Sequence, residues 1–224
     1  MCCTFFRHYQ TSSKQFAPMS YCALSKRYAI LERLTFGATL QSARCACLCE
    51  EIEPRRVLVL GDGDGRFLEA AHRIWKKARF WYVDRSQGML METQRRVQYR
   101  QLTEFHQQDV RELAKLFEPN SFDVIVSHFF LDCFSDSTLK SLIPLIVSQL
   151  HCQGVWYVTD FQTCDWRQRF LVWLMYRFFH SFTETEAAKL PNIRNAIQFS
   201  GAQLQEIASW RKGLIVAWKI THRC

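Results

Sequence analysis

The chain has 224 residues, of which 48% are hydrophobic, and a formal net charge of +8 at pH 7. This length fits one domain with an extension, and the hydrophobic content excludes a wholly disordered chain. No apolar run approaches the length of a membrane-spanning helix, and the first residues lack a signal-peptide core with a small-residue cleavage site. We therefore expect a cytoplasmic protein.

The first 50 residues are predicted to form a helical extension. Between Phe16 and Arg44 the pattern indicates two helices that are broken near Gly37. Three cysteines then alternate at Cys45, Cys47 and Cys49. Alternate positions on a helix point in divergent directions, and no second ligand cluster with zinc spacing follows, so we predict no metal site here.

A short apolar strand, 57–60, runs directly into three alternating glycines, Gly61, Gly63 and Gly65. A parallel strand that is buried on both faces has such a continuous aliphatic sequence. Glycines after it allow a tight turn and a close approach of the backbone to a ligand. Helical spacing follows from Arg66, so this segment is typical of the nucleotide-binding end of a doubly wound sheet.

The loop between these elements favours a nucleoside with a cationic tail over a dinucleotide. The dinucleotide fingerprint places its third glycine one residue later, where this chain has Arg66. The loop also carries Asp62 and Asp64, whose carboxylates would repel a pyrophosphate but can accept hydrogen bonds from an ammonium or hydroxyl group.

The remaining elements alternate between strands and helices and end in a hairpin. A second strand ends at Asp84, where a carboxylate can bind the two hydroxyls of a ribose. Asp109 follows a third strand and could accept a hydrogen bond from an adenine amino group. Further strands are predicted at 122–127, 154–160, 203–210 and 214–220. A helix is predicted to begin at Pro191.

In this order the motifs resemble the class I S-adenosylmethionine-dependent methyltransferases. The resemblance covers roughly residues 54–220 and implies an α/β fold, with a doubly wound, seven-stranded, mostly parallel sheet and a closing antiparallel hairpin. It divides the chain into the extension 1–50 and a cofactor-binding methyltransferase domain 51–224. It also implies that the cofactor is S-adenosyl-L-methionine.

In this family the glycine loop holds the methionine part of the cofactor, the acid after strand two holds the ribose, and the acid after strand three contacts adenine. The residues implied at the cofactor site are Gly61, Asp62, Gly63, Asp64, Gly65, Asp84, Arg85, Asp109, Val110 and His128. The chain departs from the family at Val59, where an acidic residue is common. Asp62 and Asp64 are the candidates to replace that polar contact.

Both ends of the domain are expected to shape the acceptor site. The extension is weakly similar to methyltransferases of quinone precursors, in which an aromatic-containing helix covers the cofactor, and Tyr28 is the candidate to reach the site. Near 161–190 the chain carries many aromatic residues where related enzymes insert a helical lid. This segment favours an apolar acceptor or contact with a membrane surface. Packing into the core or into a homodimer interface is the alternative.

Catalysis by this family needs orientation of the two substrates and, for some acceptors, removal of a proton. His128, directly after strand four, is the leading candidate for a general base or an acceptor-orienting group, with Asp132 and Asp160 as second choices. A structural role for His128 is the alternative.

The sequence therefore predicts methyl transfer to a small lipophilic or aromatic acceptor. A non-catalytic cofactor-binding or scaffold protein with the same fold is the alternative, because Val59 departs from the family pattern and a clear base motif is absent. RNA methylation rests on the positive charge alone. The residues after strand four also lack the tetrapeptide that the family uses for amino groups of bases, so nucleic acid is disfavoured as a partner.

Overall fold

The computed structural model describes residues 38–163, 168, 186, 187 and 189–222. Tyr28 and most of the predicted extension lie outside the described residues. So does most of the predicted lid at 161–190. The roles expected for these two segments therefore stay predictions.

Seven strands form one sheet in the order β3-β2-β1-β4-β5-β7-β6. The first five strands of this order run parallel, whereas β7 runs antiparallel to both β5 and β6. The predicted mostly parallel sheet with a closing hairpin is thereby confirmed. The strands are β1 (Arg56–Leu60), β2 (Arg79–Asp84), β3 (Thr103–Gln107), β4 (Phe122–His128), β5 (Leu150–Phe161), β6 (Gln203–Trp210) and β7 (Ile215–Thr221).

Helices lie between most of these strands. They are α1 (Thr39–Arg44), α2 (Arg66–Ile74), α3 (Gln87–Arg96), α4 (Leu113–Leu116), α5 (Asp136–Ser148) and α6 (Ile193–Phe199), with short 3-10 turns at Ala46–Cys49, Arg100–Leu102, Val110–Glu112 and Leu131–Cys133. The helix predicted at Pro191 begins at Ile193 because Asn192 caps it, its side chain accepting from the Asn195 amide. In the described part of the chain, no helix is long and apolar enough to cross a membrane.

The sheet separates two apolar cores. Leu58 and Leu60 pack on one face with α4, α5 and α6, and Val57 and Val59 pack on the other face with α2 and α3. Neighbouring residues of β1 therefore fill opposite cores, which explains the unbroken aliphatic run that predicts this strand. Because the strand ends directly in the glycine loop, both cores hold that loop in a fixed place.

Candidate cofactor and acceptor site

The loop after β1 has a backbone that requires glycine. Gly61, Gly63 and Gly65 have φ angles of 60°, 63° and 77°, in the region that L-residues rarely adopt. A Cβ on Gly61 would lie 2.2 Å from Cδ2 of Phe130, whereas a Cβ on Gly63 would meet nothing within 4 Å. Gly61 is therefore also required because the ring of Phe130 packs directly against its backbone.

Asp62 stabilises the start of α2. Its side chain is buried and accepts hydrogen bonds from the amides of Phe67 (3.3 Å) and Leu68 (3.0 Å). Burial raises the pKa of Asp62 to about 7, although both amides and the charge of Arg44 oppose that rise. Its predicted contact with the cofactor stays a prediction, because both oxygens already accept bonds from the protein.

Asp64 links the loop to α3. Its carboxylate lies 3.0 Å from Nε of Arg66 and 2.8 Å from Nη2 of Arg96, and Arg96 Nε also donates to the Asp64 carbonyl. The carbonyl of Gly63 accepts hydrogen bonds from Tyr82 and Thr93. These contacts fix the loop on the side of β2 and α3. The role predicted for Asp64 toward the cofactor is likewise untested.

A cavity of about 260 Å³ opens beside this loop, at the carboxyl ends of β1, β2 and β3. Ligands of open parallel sheets bind at this edge. The cavity brings together five of the residues predicted at the cofactor site. Its lining consists of Gly61, Val83, Asp84, Arg85, Ser86, Gln108, Asp109, Val110, Phe129, Phe130, Cys133, Phe134 and Glu186.

Asp84 ends β2 at the wall of the cavity. One carboxylate oxygen, Oδ1, accepts a hydrogen bond of 2.7 Å from the amide of Ser86. Burial raises the pKa of Asp84 to about 6, and the bond from Ser86 and the nearby Arg85 only partly offset that effect. The group is therefore largely ionised at neutral pH and is suited to accept hydrogen bonds from hydroxyls.

Asp109 also lines the cavity and is held by Arg111. The backbone amide and the guanidinium of Arg111 both donate to its carboxylate, and these bonds lower the pKa of Asp109. Arg111 also contacts Glu186, which lines the same cavity. Asp109 thus presents a fixed, ionised carboxylate at the end of β3.

Aromatic side chains form the wall on the β4 side. Phe129 and Phe130 follow β4 directly, and the ring of Phe130 packs against that of Phe134 with centroids 5.1 Å apart. Phe129 has a φ of 52°, and its amide donates to the carbonyl of Thr159. This wall is apolar and is suited to an aromatic or lipophilic ligand.

His128 faces away from this wall. Its ring lies 4.8 Å from that of Phe67 and its Nε2 lies 4.0 Å from Sγ of Cys47, within the core on the α2 side. Burial, with a smaller effect of Arg44, lowers the pKa of His128 to about 3. The imidazole is therefore neutral at physiological pH. Its predicted role as a base stays a prediction.

Asp160 is fully buried and holds the chain that follows β4. Its Oδ2 accepts from the amides of Leu131 (3.0 Å) and Asp132 (3.2 Å), and its Oδ1 accepts from that of Phe161 (2.9 Å). Burial, followed by the neighbouring Asp132, raises the pKa of Asp160 well above its ordinary value. Asp132 itself accepts a weak bond from the thiol of Cys133. Contact of either carboxyl with an acceptor stays a prediction.

The sequence of the chain matches one known family model. Residues 57–154 match the model described as "Methyltransferase domain", and these residues include the glycine loop, Asp84 and Asp109. The match spans less than half of the chain and shows that residues 57–154 are similar to a methyltransferase domain. No curated protein sequence matches the chain.

Solved structures resemble the fold of this chain at low sequence identity. An O-methyltransferase family protein from Burkholderia thailandensis has a TM-score of 0.66 at 16% identity, with 89% of this chain and 62% of that chain covered. Human N-acetylserotonin methyltransferase, solved in complex with SAM, has a TM-score of 0.65 at 12% identity. The likeness covers 91% of this chain and 58% of that chain. A SAM-dependent methyltransferase from Archaeoglobus fulgidus has a TM-score of 0.62 at 16% identity. The likeness covers 80% of this chain and 76% of that chain.

The chain thus spans about three fifths of the length of the first two of these structures. At these identities the similarity establishes the fold of the chain alone. Its acceptor and its partners have to be argued from this chain.

Several residues of the cavity had no individually predicted role. Phe130, Phe134, Cys133 and Glu186 line it. The two phenylalanines after β4 are the signal that could have identified the aromatic wall, since residues after a parallel strand reach the ligand edge. Glu186 lies in the predicted lid segment 161–190, but the sequence does not single it out, because position 186 reaches the cavity only through the tertiary fold. The described residues contain no group of three metal-ligating side chains, the Cys45–Cys49 segment included.

Proposed function

We propose that this chain binds S-adenosyl-L-methionine and transfers its methyl group to a small lipophilic or aromatic acceptor. The observation that carries the proposal is the cavity itself, which joins Gly61, Asp84 and Asp109 to the aromatic wall of Phe129 and Phe130. The matched methyltransferase domain and the neighbour solved with SAM support the choice of cofactor.

The residues present fit this cofactor. Asp84 would accept hydrogen bonds from the ribose hydroxyls, Asp109 would contact adenine, and Gly61 leaves room for the backbone to approach the methionine part. The partly buried carboxyl of Asp84 and the positive φ of Gly61 are the features that this fit requires. When bound, the cofactor supplies an activated methyl group on a sulfonium.

The protein's own contribution to such a transfer is orientation and exclusion of water. Phe129, Phe130 and Phe134 would exclude water and hold an apolar acceptor at the β4 side of the cavity. The predicted lid at 161–190 would complete this wall and is the proposed segment for any contact with a membrane surface or a second copy of the chain. We place nucleic acid outside the proposal, since the wall is apolar.

Substitution of His128 tests whether the reaction uses this side chain as a general base. If His128 removes a proton, His128→Ala should lower turnover by about 100-fold or more and change the affinity for S-adenosylhomocysteine by less than about threefold. His72→Ala is the matched control, because His72 is also buried with a pKa lowered to about 4 but contacts Thr103, the first residue of β3. Equal losses of turnover and affinity would exclude the base role.

A transfer assay separates the enzyme from the non-catalytic alternative. That alternative is favoured by the burial of His128, whose pKa of about 3 makes it a weak base, and by the apolar Val59. The protein is incubated with methyl-labelled S-adenosylmethionine and a panel of phenols, catechols and aromatic amines, and the products are extracted into organic solvent. We expect enzyme-dependent label in the organic phase, and none with Gly61→Ala. Binding of cofactor without transfer to any compound of the panel would support the non-catalytic alternative.

A further inference from the structure

Phe129, the residue directly after β4, has a backbone conformation that is rare for a bulky side chain. Its φ of 52° lies in the left-handed region, which large L-residues adopt only in turns or under strain. The other described non-glycine residues with positive φ are Asn120, Arg211 and Lys212, and all three lie in exposed turns. Phe129 lines the cavity instead. Because strained residues of this kind persist mainly at functional sites, its conformation calls for an explanation.

Contacts of both the backbone and the ring hold Phe129 in this conformation. Its amide donates a hydrogen bond of 2.7 Å to the carbonyl of Thr159 in β5. Its ring packs against the ring of Phe161 with centroids 5.1 Å apart, and Cζ of Arg44 lies 5.1 Å from the centroid of the Phe129 ring. Thr159, Phe161 and Arg44 are themselves buried. The surrounding structure therefore fixes both the backbone and the ring of Phe129.

The left-handed turn brings two consecutive aromatic side chains to one cavity. In an extended strand, neighbouring side chains point to opposite faces, so a continued β4 would separate Phe129 from Phe130. Both residues line the cavity, however. Phe130 lies against the backbone of Gly61, whereas Phe129 packs toward the end of β5. The turn after β4 thus gives the cavity a fixed aromatic wall that reaches from the glycine loop toward β5.

We propose that Phe129 makes the acceptor site selective for a flat aromatic ring over a saturated apolar group of the same size. The inference rests on the proposed function and narrows its acceptor from lipophilic or aromatic to aromatic. Two aromatic rings in stacked or edge-to-face contact gain free energy beyond that of the buried area. A ring that the protein already holds in place also loses little conformational freedom when the acceptor binds.

The test compares two probes that share a carbon skeleton and a hydroxyl group but differ in aromaticity, 2-naphthol and decahydro-2-naphthol. Both are titrated into the protein saturated with S-adenosylhomocysteine. We expect the wild type to bind 2-naphthol about threefold to tenfold more tightly. Phe129→Leu keeps an apolar side chain and should bind the two probes equally, whereas Phe129→Tyr should keep the preference. Phe134→Leu is the matched control, because Phe134 also lines the cavity but packs against the ring of Phe130. It should retain the wild-type preference.

Two variants that lack the ring test the strain. Phe129→Ala keeps a Cβ at a φ of 52° and Phe129→Gly does not, so the equilibrium constant for unfolding should be about 5- to 30-fold smaller for glycine than for alanine. Chemical denaturation measures this difference. Both variants should lose the preference for 2-naphthol, because neither has a ring. Equal stability of the two variants would show that the backbone of Phe129 is not strained and would overturn that part of the inference.

The outcomes separate the inference from the proposed function. A wild type that does not bind S-adenosylhomocysteine overturns the proposed function and the inference with it. A wild type that binds this ligand but binds the two probes equally, or binds neither probe, overturns the selectivity alone. The role of Phe129 is also overturned if Phe129→Leu keeps the full preference, or if Phe134→Leu loses as much of it. If Phe129→Leu does not fold, Phe129→Gly decides, because a full preference in that variant overturns the inference.

Discussion

Gly61→Ala is expected to destabilise the domain and to abolish cofactor binding. Alanine at a φ of 60° costs about 1–2 kcal/mol. Its Cβ would also lie 2.2 Å from the Phe130 ring, and overpacking of this kind costs about 1–3 kcal/mol. The free energy of unfolding should therefore fall by about 2–5 kcal/mol. Relief of the clash requires Phe130 to move, and this ring lines the cavity, so binding should be lost even if the variant folds. Chemical denaturation and titration calorimetry measure the two effects.

Gly63→Ala is the matched control for this substitution. Gly63 has nearly the same φ, 63°, but a Cβ there meets nothing within 4 Å. The free energy of unfolding of the Gly63→Ala variant should fall only by the backbone contribution of about 1–2 kcal/mol. Equal destabilisation by the two substitutions would show that contact with Phe130 does not matter at Gly61.

Asp84→Asn is expected to weaken cofactor binding without destabilising the free protein. A hydrogen bond to a charged acceptor contributes about 1.5–3 kcal/mol. Loss of the charge should therefore weaken the binding of S-adenosylhomocysteine by about tenfold to 100-fold. Burial raises the pKa of Asp84 to about 6, above its ordinary 3.8, so the folded state disfavours the ionised form. The contribution of Asp84 to stability is therefore fully present below pH 3.8 and is lost as the pH rises through about 6. Asparagine does not ionise, so the variant does not lose stability as the pH rises. It should therefore be at least as stable as the wild type at pH 7.

The same pKa predicts the pH dependence of binding. The ribose hydroxyls donate to the ionised carboxylate, so affinity should be constant above pH 6 and fall by about tenfold per pH unit below it. Titration of S-adenosylhomocysteine between pH 5 and pH 8 measures this profile. Asp84→Asn should show no inflection near pH 6. An inflection that persists in the variant would assign the titration to another group.

The fold was predictable from the sequence because the strands that are buried on both faces consist of uninterrupted apolar runs. Val57 to Leu60 illustrates this, since its residues fill both cores and its end is marked by glycines with positive φ. The hairpin was also predictable, because Gly213 lies between two predicted strands. In the structure, Arg211, Lys212 and Gly213 all have positive φ.

The site was predictable only in part. Asp84 and Asp109 follow their strands directly, so their place at the cavity follows from topology. The contacts of the loop carboxylates do not follow from topology. Asp62 turns toward the amides of α2, and Asp64 pairs with Arg96, which is 32 residues away along the chain. The direction of His128 also depends on the pleat of β4, since a shift of one residue moves a side chain to the other face of a strand.

Titration of the wild-type protein with S-adenosylhomocysteine tests the central claim most directly. This ligand keeps the adenine, the ribose and the amino acid, and it cannot be consumed by transfer. We predict one binding site per chain with a micromolar dissociation constant, and a large loss of affinity in Asp84→Asn. A folded wild-type protein that shows no binding up to millimolar ligand would contradict the assignment of the cavity to this cofactor.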